Sequence, residues 1–423
     1  MRRALREGAG LAVGLLTAGR LATGCATPDG AIRRCEAGTV ADQAAQECVE
    51  VSAGSGGQGG AAGGGGAPGS CAIEQLASDP KNCGECGRDC RGAACRAGAC
   101  EPEAIAERLV APFAVALTAS EIVWASPAKG VSGNAGAGLL ALARPGPPGA
   151  TPSTLLGAAA ARTRGLATSA AGEVFWAELA TGVILRGGSG ATQATEIASG
   201  RANVNRLVIA GEYLYWTEGG LGAGAPAGGV FRAPLGNGGV EELARAQARP
   251  DALAVDGENV YWVNRGPGGQ VMRAARGGAP EIIERLENPA AVAASAGAVV
   301  WADRASGRVA ARASGEATVT TVARDAGELV EGLAVEGRAV YRVAYRQTEK
   351  ALLVKRSDIG GAGEVVLGRI TPSDAAYVGN PLGAYALAFD DLYLYFADPG
   401  AVMFDAAGVP LSQQNGRLYR VAK

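Results

Sequence analysis

The chain has 423 residues, 48% of them hydrophobic but only 5% aromatic, and 66 are glycine, a balance that suits flexible spacers or an all-β fold with many tight turns. Its 39 basic and 41 acidic residues leave a net charge of -2, with no basic run after residue 6, so there is no electrostatic footprint for nucleic acid. The absence of histidine removes the side chain best suited to proton transfer near neutral pH, and with it Ser-His triads and His-ligated metal centres.

In chain order, residues 1–24 form an export signal: Arg2, Arg3 and Arg6, then the apolar run Leu11 to Leu16, then small residues. The apolar run is too short to span a bilayer, which needs roughly 20 apolar residues. Leu21-Ala22-Thr23-Gly24-Cys25 resembles the lipobox of bacterial lipoproteins, with Ala22 where that motif usually has Leu. The resemblance implies cleavage after Gly24 and a lipid on Cys25, placing residues 25–53 next to the membrane. Ala26 rather than Asp after that cysteine implies the outer membrane or cell surface; without the lipid the product would be secreted.

All nine cysteines lie at or before Cys100. With Cys25 set aside, eight remain, an even number that reads as a disulfide framework in an exported protein: Cys35 with Cys48, and three bridges of undetermined connectivity among Cys71, Cys83, Cys86, Cys90, Cys95 and Cys100. The run Asp79 to Cys90 resembles small Cys-rich modules of secreted myxobacterial proteins, and residues 71–100 are expected to form such a module. Between the two cysteine groups, residues 54–70 are nearly all Gly, Ser and Ala, a flexible coil with a reach of roughly 20 to 25 Å.

From residue 101 onward one pattern repeats. Its clearest copy has apolar strands Leu253 to Asp256 and Asn259 to Asn264 flanking an Asp-Gly turn, a third strand ending at Arg273, and a fourth around Ile282. The aromatic anchor of the second strand recurs at Trp124, Trp176, Trp216, Trp262, Trp301, Arg342 (after Tyr341) and Phe396. Seven copies of four short strands with periods near 40 indicate a β-propeller, its anchors in the core. The last copy stops after its third strand, while Ile105 to Pro112 aligns without a gap on the fourth strand Ile282 to Pro289. Strand 105–110 is therefore expected to complete the final blade and close the ring of 101–423.

Leu214-Tyr215-Trp216-Thr217-Glu218 resembles the YWTD repeat of the low-density-lipoprotein-receptor type of propeller. That family has six blades, so six is the alternative to seven, and the resemblance implies binding of proteins or an extracellular scaffold.

Two chemical readings follow. Acids two residues past the anchors, with arginines ending the third strands (Arg186, Arg232, Arg273, Arg312, Arg420), are expected to pair as cross-strand staples. The alternative is a metal-dependent propeller hydrolase or lyase, with Glu178, Glu218 and Asp303 holding calcium or another divalent ion. The favoured reading is a non-enzymatic scaffold needing no cofactor, monomeric, with an unidentified protein or envelope ligand as partner and the lipid as its only membrane contact. Long insertions at 127–137, 219–229, 399–415 and 368–384 fall on one face, which makes Lys129, Tyr377, Asn380, Phe404, Gln413 and Gln414 candidate contacts.

Overall fold

The computed structural model describes residues 71–423 apart from 110–111, 113, 127–137, 157–164, 179–180, 189–190, 192, 220–227, 237, 267, 372–385, 401, 405–409 and 413–414, together with four short upstream strands. The chain divides into two compact units, Met1–Gly66 and Ala67–Lys423. In the first, Gly24–Ala26 pairs with Ile32–Arg34 and Thr39–Asp42 with Glu47–Glu50. The Cys25 side chain and the expected Cys35–Cys48 bridge lie outside the described residues. No helix among the described residues is long and apolar enough to cross a membrane.

The second unit is an all-β propeller of seven blades. Blades 1 to 5 are antiparallel four-stranded sheets whose first strands are Ala114–Leu117, Leu166–Thr168, Val204–Ala210, Pro250–Asp256 and Pro289–Ser295. Blade 6 opens with Glu328–Glu336 and blade 7 with Leu387–Phe389, which packs beside the first strands of both blade 6 and blade 1. Seven inner strands therefore complete the circle, and the six-blade alternative is set aside.

Blade geometry follows from the local sequence. In blade 4, Asp256 pairs with Asn259 across a two-residue turn, and Gly257 supplies the positive φ (58°) that this turn requires. The anchors point into the packing between blades: Trp124, Trp176, Trp216, Trp262, Trp301 and Phe396 are at most 2% exposed. Each faces a third-strand residue directly, as Trp216 faces Phe231 with stacked rings 5.8 Å apart.

The two ends of the ring meet in blade 7. Glu103–Leu109 pairs antiparallel with Gly416–Ala422, joining Leu418 to Ala106 and Arg420 to Glu103, so blade 7 is built from both parts of the chain. The three disulfides of the Cys-rich segment are Cys71–Cys86, Cys83–Cys95 and Cys90–Cys100. This segment does not stand apart from the ring. Ala99–Cys100 adds to the outer strand of blade 6, Val365–Ile370, in parallel through Cys100 and Gly368.

Candidate functional site

In each blade the turn from second to third strand and the link to the next blade emerge on one face, here called the upper face. The second strands end there, at Glu178, Glu218, Asn264, Asp303 and Asp398. Glu218 accepts a hydrogen bond from Trp216 Nε1 at 2.8 Å and pairs with Arg201 at 3.3 Å. Asp303 accepts from Asn288 N at 3.0 Å and Ser306 Oγ at 2.8 Å. Glu178 accepts from Thr181 Oγ1 at 3.1 Å. Each is held by its own blade or by the link entering it, and the three stand on three different blades.

The expected staple between these acids and the third-strand arginines is not formed. Antiparallel register sets Glu218 opposite Gly229, whereas Arg232 lies opposite Tyr215. Three residues of extended chain, about 10 Å, separate the two positions. The arginines instead reach acids nearer the lower face: Arg186 to Glu173 (3.6 Å), Arg232 to Glu241 (2.6 Å), Arg273 to Glu281 (2.9 Å), Arg312 to Glu281 (3.8 Å) and Arg420 to Glu103 (2.8 Å). Arg232 and Arg420 also lie over the rings of Tyr213 and Tyr393, at 4.5 and 4.8 Å.

Among the described residues, the one cluster of three metal-ligand side chains is Cys83, Cys90 and Cys100, whose sulfurs lie within 4.8 Å of one another and are engaged in disulfides. Glu178, Glu218 and Asp303 form no such cluster. Of the candidate contacts, Lys129, Tyr377, Asn380, Gln413 and Gln414 lie outside the described residues, and for Phe404 only the backbone is described. That backbone is informative: Val402–Phe404 pairs with Pro410–Ser412, so the insertion of blade 7 contains a hairpin.

The neck of this hairpin holds Asp398, one of the acids two residues past the anchors, in a buried setting that its spacing did not indicate. Asp398 is 6% exposed, accepts from Gly400 N at 2.9 Å, and has its carboxyl pushed up to about 6 by burial. Because the folded state holds this proton more tightly than the unfolded chain, the stability it contributes is present below pH 4 and lost as pH rises through about 6. Asp398→Asn keeps an acceptor for Gly400 and should flatten this dependence, raising stability by about 1 to 3 kcal/mol at pH 7.5 with little gain at pH 4. Thermal melts at both pH values check this; equal gains at both would sink the assignment.

A second unforeseen feature is the interior of blade 6. At the anchor position Arg342 faces Lys355, both buried, where other blades place an aromatic ring against an apolar side chain or a second ring. Glu364 binds both, Arg342 closely and Lys355 at 3.0 Å, while Glu328 takes Lys355 and Arg346 at 2.5 Å each. Burial pushes the Glu364 carboxyl up, but its bonds to the two cations outweigh this and hold it below the ordinary range. On the lower face, grooves of about 580 Å³ run between blades 3 and 4 and between blades 1 and 2, lined by turns and by the ion pairs Arg232–Glu241 and Arg186–Glu173.

No protein-family model matches the chain, and no curated protein matches it by sequence. Solved structures do match. A streptogramin B lyase aligns with a TM-score of 0.53 at 9% identity, covering 76% of this chain and 97% of that one. YCF48, solved bound to D1 peptide, aligns with a TM-score of 0.50 at 14% identity, covering 76% and 95%. Nidogen in its complex with laminin aligns with a TM-score of 0.41 at 14% identity, covering 62% and 98%. At these identities the likeness is one of fold, and the fold is the β-propeller.

Proposed function

We propose that the chain is an exported binding or scaffold protein, attached to the cell envelope through a lipid on Cys25 and presenting the upper face of its propeller to a protein or envelope ligand. The observation that carries this reading is the fate of the upper-face acids: each is engaged by its own blade or the link entering it, while the chain departs from its repeat in the insertions beside them. Three disulfides suit an oxidising, non-cytoplasmic compartment. Fold neighbours include both binding proteins and enzymes, so the fold does not decide between them. The metal-dependent alternative is not favoured, because Glu178, Glu218 and Asp303 are not brought together.

Attachment is tested by growing cells that express the chain with a labelled fatty acid. Label should enter the full chain and disappear in Cys25→Ser, with the variant released into the soluble fraction. Label retained in Cys25→Ser would rule out that cysteine as the anchor.

A further inference from the structure

The disulfide segment and the ring-closing strand are neighbours in sequence, and three observations make them one device. Cys83, Cys90, Cys95 and Cys100 belong to the same extended apolar cluster as Ile105 and Leu109 of the closing strand, Leu367 of blade 6 and Val421 of blade 7. Arg88, 5% exposed, donates to the carbonyls of Val366 (3.2 Å) and Leu367 (2.5 Å), and Glu85 pairs with Arg356 at 2.7 Å. Finally, Gly368 sits where a Cβ would lie 2.8 Å from both Pro102 Cγ and Val421 Cγ2, so segment, blade 6 and blade 7 meet at a point with no room for a side chain.

The closing strand, unlike the fourth strand of blade 3, is not joined by a turn to the strand it pairs with. Its ladder with Gly416–Ala422 joins four residue pairs with two register shifts, as that of blade 3 does. Three residues before it, Cys100 is paired to blade 6 and bonded to Cys90, which follows Arg88 by two positions. The strand is thus pinned at its start by a covalent bond gripping the neighbouring blade.

We infer that the Cys90–Cys100 disulfide is a redox-sensitive clasp of the propeller: reduced, it frees the closing strand and opens blade 7, although no cysteine lies in the ring itself. A dithiol reductant supplies the two electrons and two protons. The Sγ–Sγ bond breaks, two thiols form, and the reductant's own sulfurs join as a disulfide. Reduction is ordered by burial: Cys86 is exposed, whereas Cys90 and Cys100 are at most 1% exposed. Mild reduction therefore opens Cys71–Cys86 first and leaves the ring closed.

The test is amide hydrogen exchange by mass spectrometry on the full chain. In Cys90→Ser/Cys100→Ser, segments 103–109 and 416–422 should exchange at least tenfold faster than in the wild type, with blades 3 to 5 unchanged; opening Cys71–Cys86 alone with dithiothreitol should alter neither segment. If the double variant does not fold, Arg88→Met decides, since it keeps every disulfide and removes only the grip on Val366 and Leu367. It should accelerate the same two segments selectively. Unchanged exchange at 103–109, or equal acceleration in all seven blades, overturns the clasp.

Discussion

Glu364→Ala should lower the stability of the propeller by about 3 kcal/mol, read as a shift of the urea midpoint without a change of slope. The reason lies in what it leaves behind. Arg342 and Lys355 face each other across adjacent strands, each with a side chain 2% exposed. Like charges directly opposite are unfavourable even at a surface. Lys355 would retain Glu328, but Arg342 would keep only Ser357 Oγ at 3.4 Å, a neutral partner for a buried guanidinium. Replacing the pair together, as Arg342→Trp with Lys355→Leu, restores the aromatic-on-apolar arrangement of blade 1, where Trp124 faces Leu140. This double variant should recover most of the loss when combined with Glu364→Ala. A Glu364→Ala protein as stable as the wild type would show that the two cations do not depend on it.

Ile105→Asp should cost about 4 kcal/mol or more and produce concentration-dependent association, whereas Ile282→Asp at the aligned position of blade 4 should cost less than about 1 kcal/mol. Ile282 is 42% exposed; Ile105 is 1% exposed and meets Ile122 and Leu142 of blade 1 over Gly146. A carboxylate at 105 loses the apolar contact and is buried without a partner. With the closing strand displaced, Gly416–Ala422 becomes an open edge. Equal effects of the two substitutions, by denaturation and by light scattering against concentration, would contradict this account of closure.

The contrast between these isoleucines shows which parts of the fold were legible. Within a blade, alternation, a turn glycine such as Gly257 and a recurring anchor such as Trp262 write the four strands locally, and the unmatched strand at Ile105 wrote the closure. The docking of Cys100 on Gly368 was not written, because it joins residues far apart in sequence with no periodic signal. Arg342 was visible as the odd anchor, but its charge gives no indication that Lys355, Glu328 and Glu364 follow it into the interior. The staple of Glu218 with Arg232 failed for a different reason. Spacing along two strands gives positions, whereas pairing depends on register, which puts Gly229 opposite Glu218. The candidate contacts from Lys129 to Gln414 come from insertions, which carry no repeat to align.

Binding through the upper face can be read out by affinity capture from envelope extracts. The bait is the exported chain carrying Cys25→Ser, with and without Phe404→Ala/Gln413→Ala, and captured proteins and bound metal are measured on the same sample. A saturable protein partner should be held by the parent and weakened at least tenfold by the double substitution, with no stoichiometric metal. Stoichiometric calcium lost on Glu178→Gln or Asp303→Asn, or a partner bound equally by both baits, would contradict this reading.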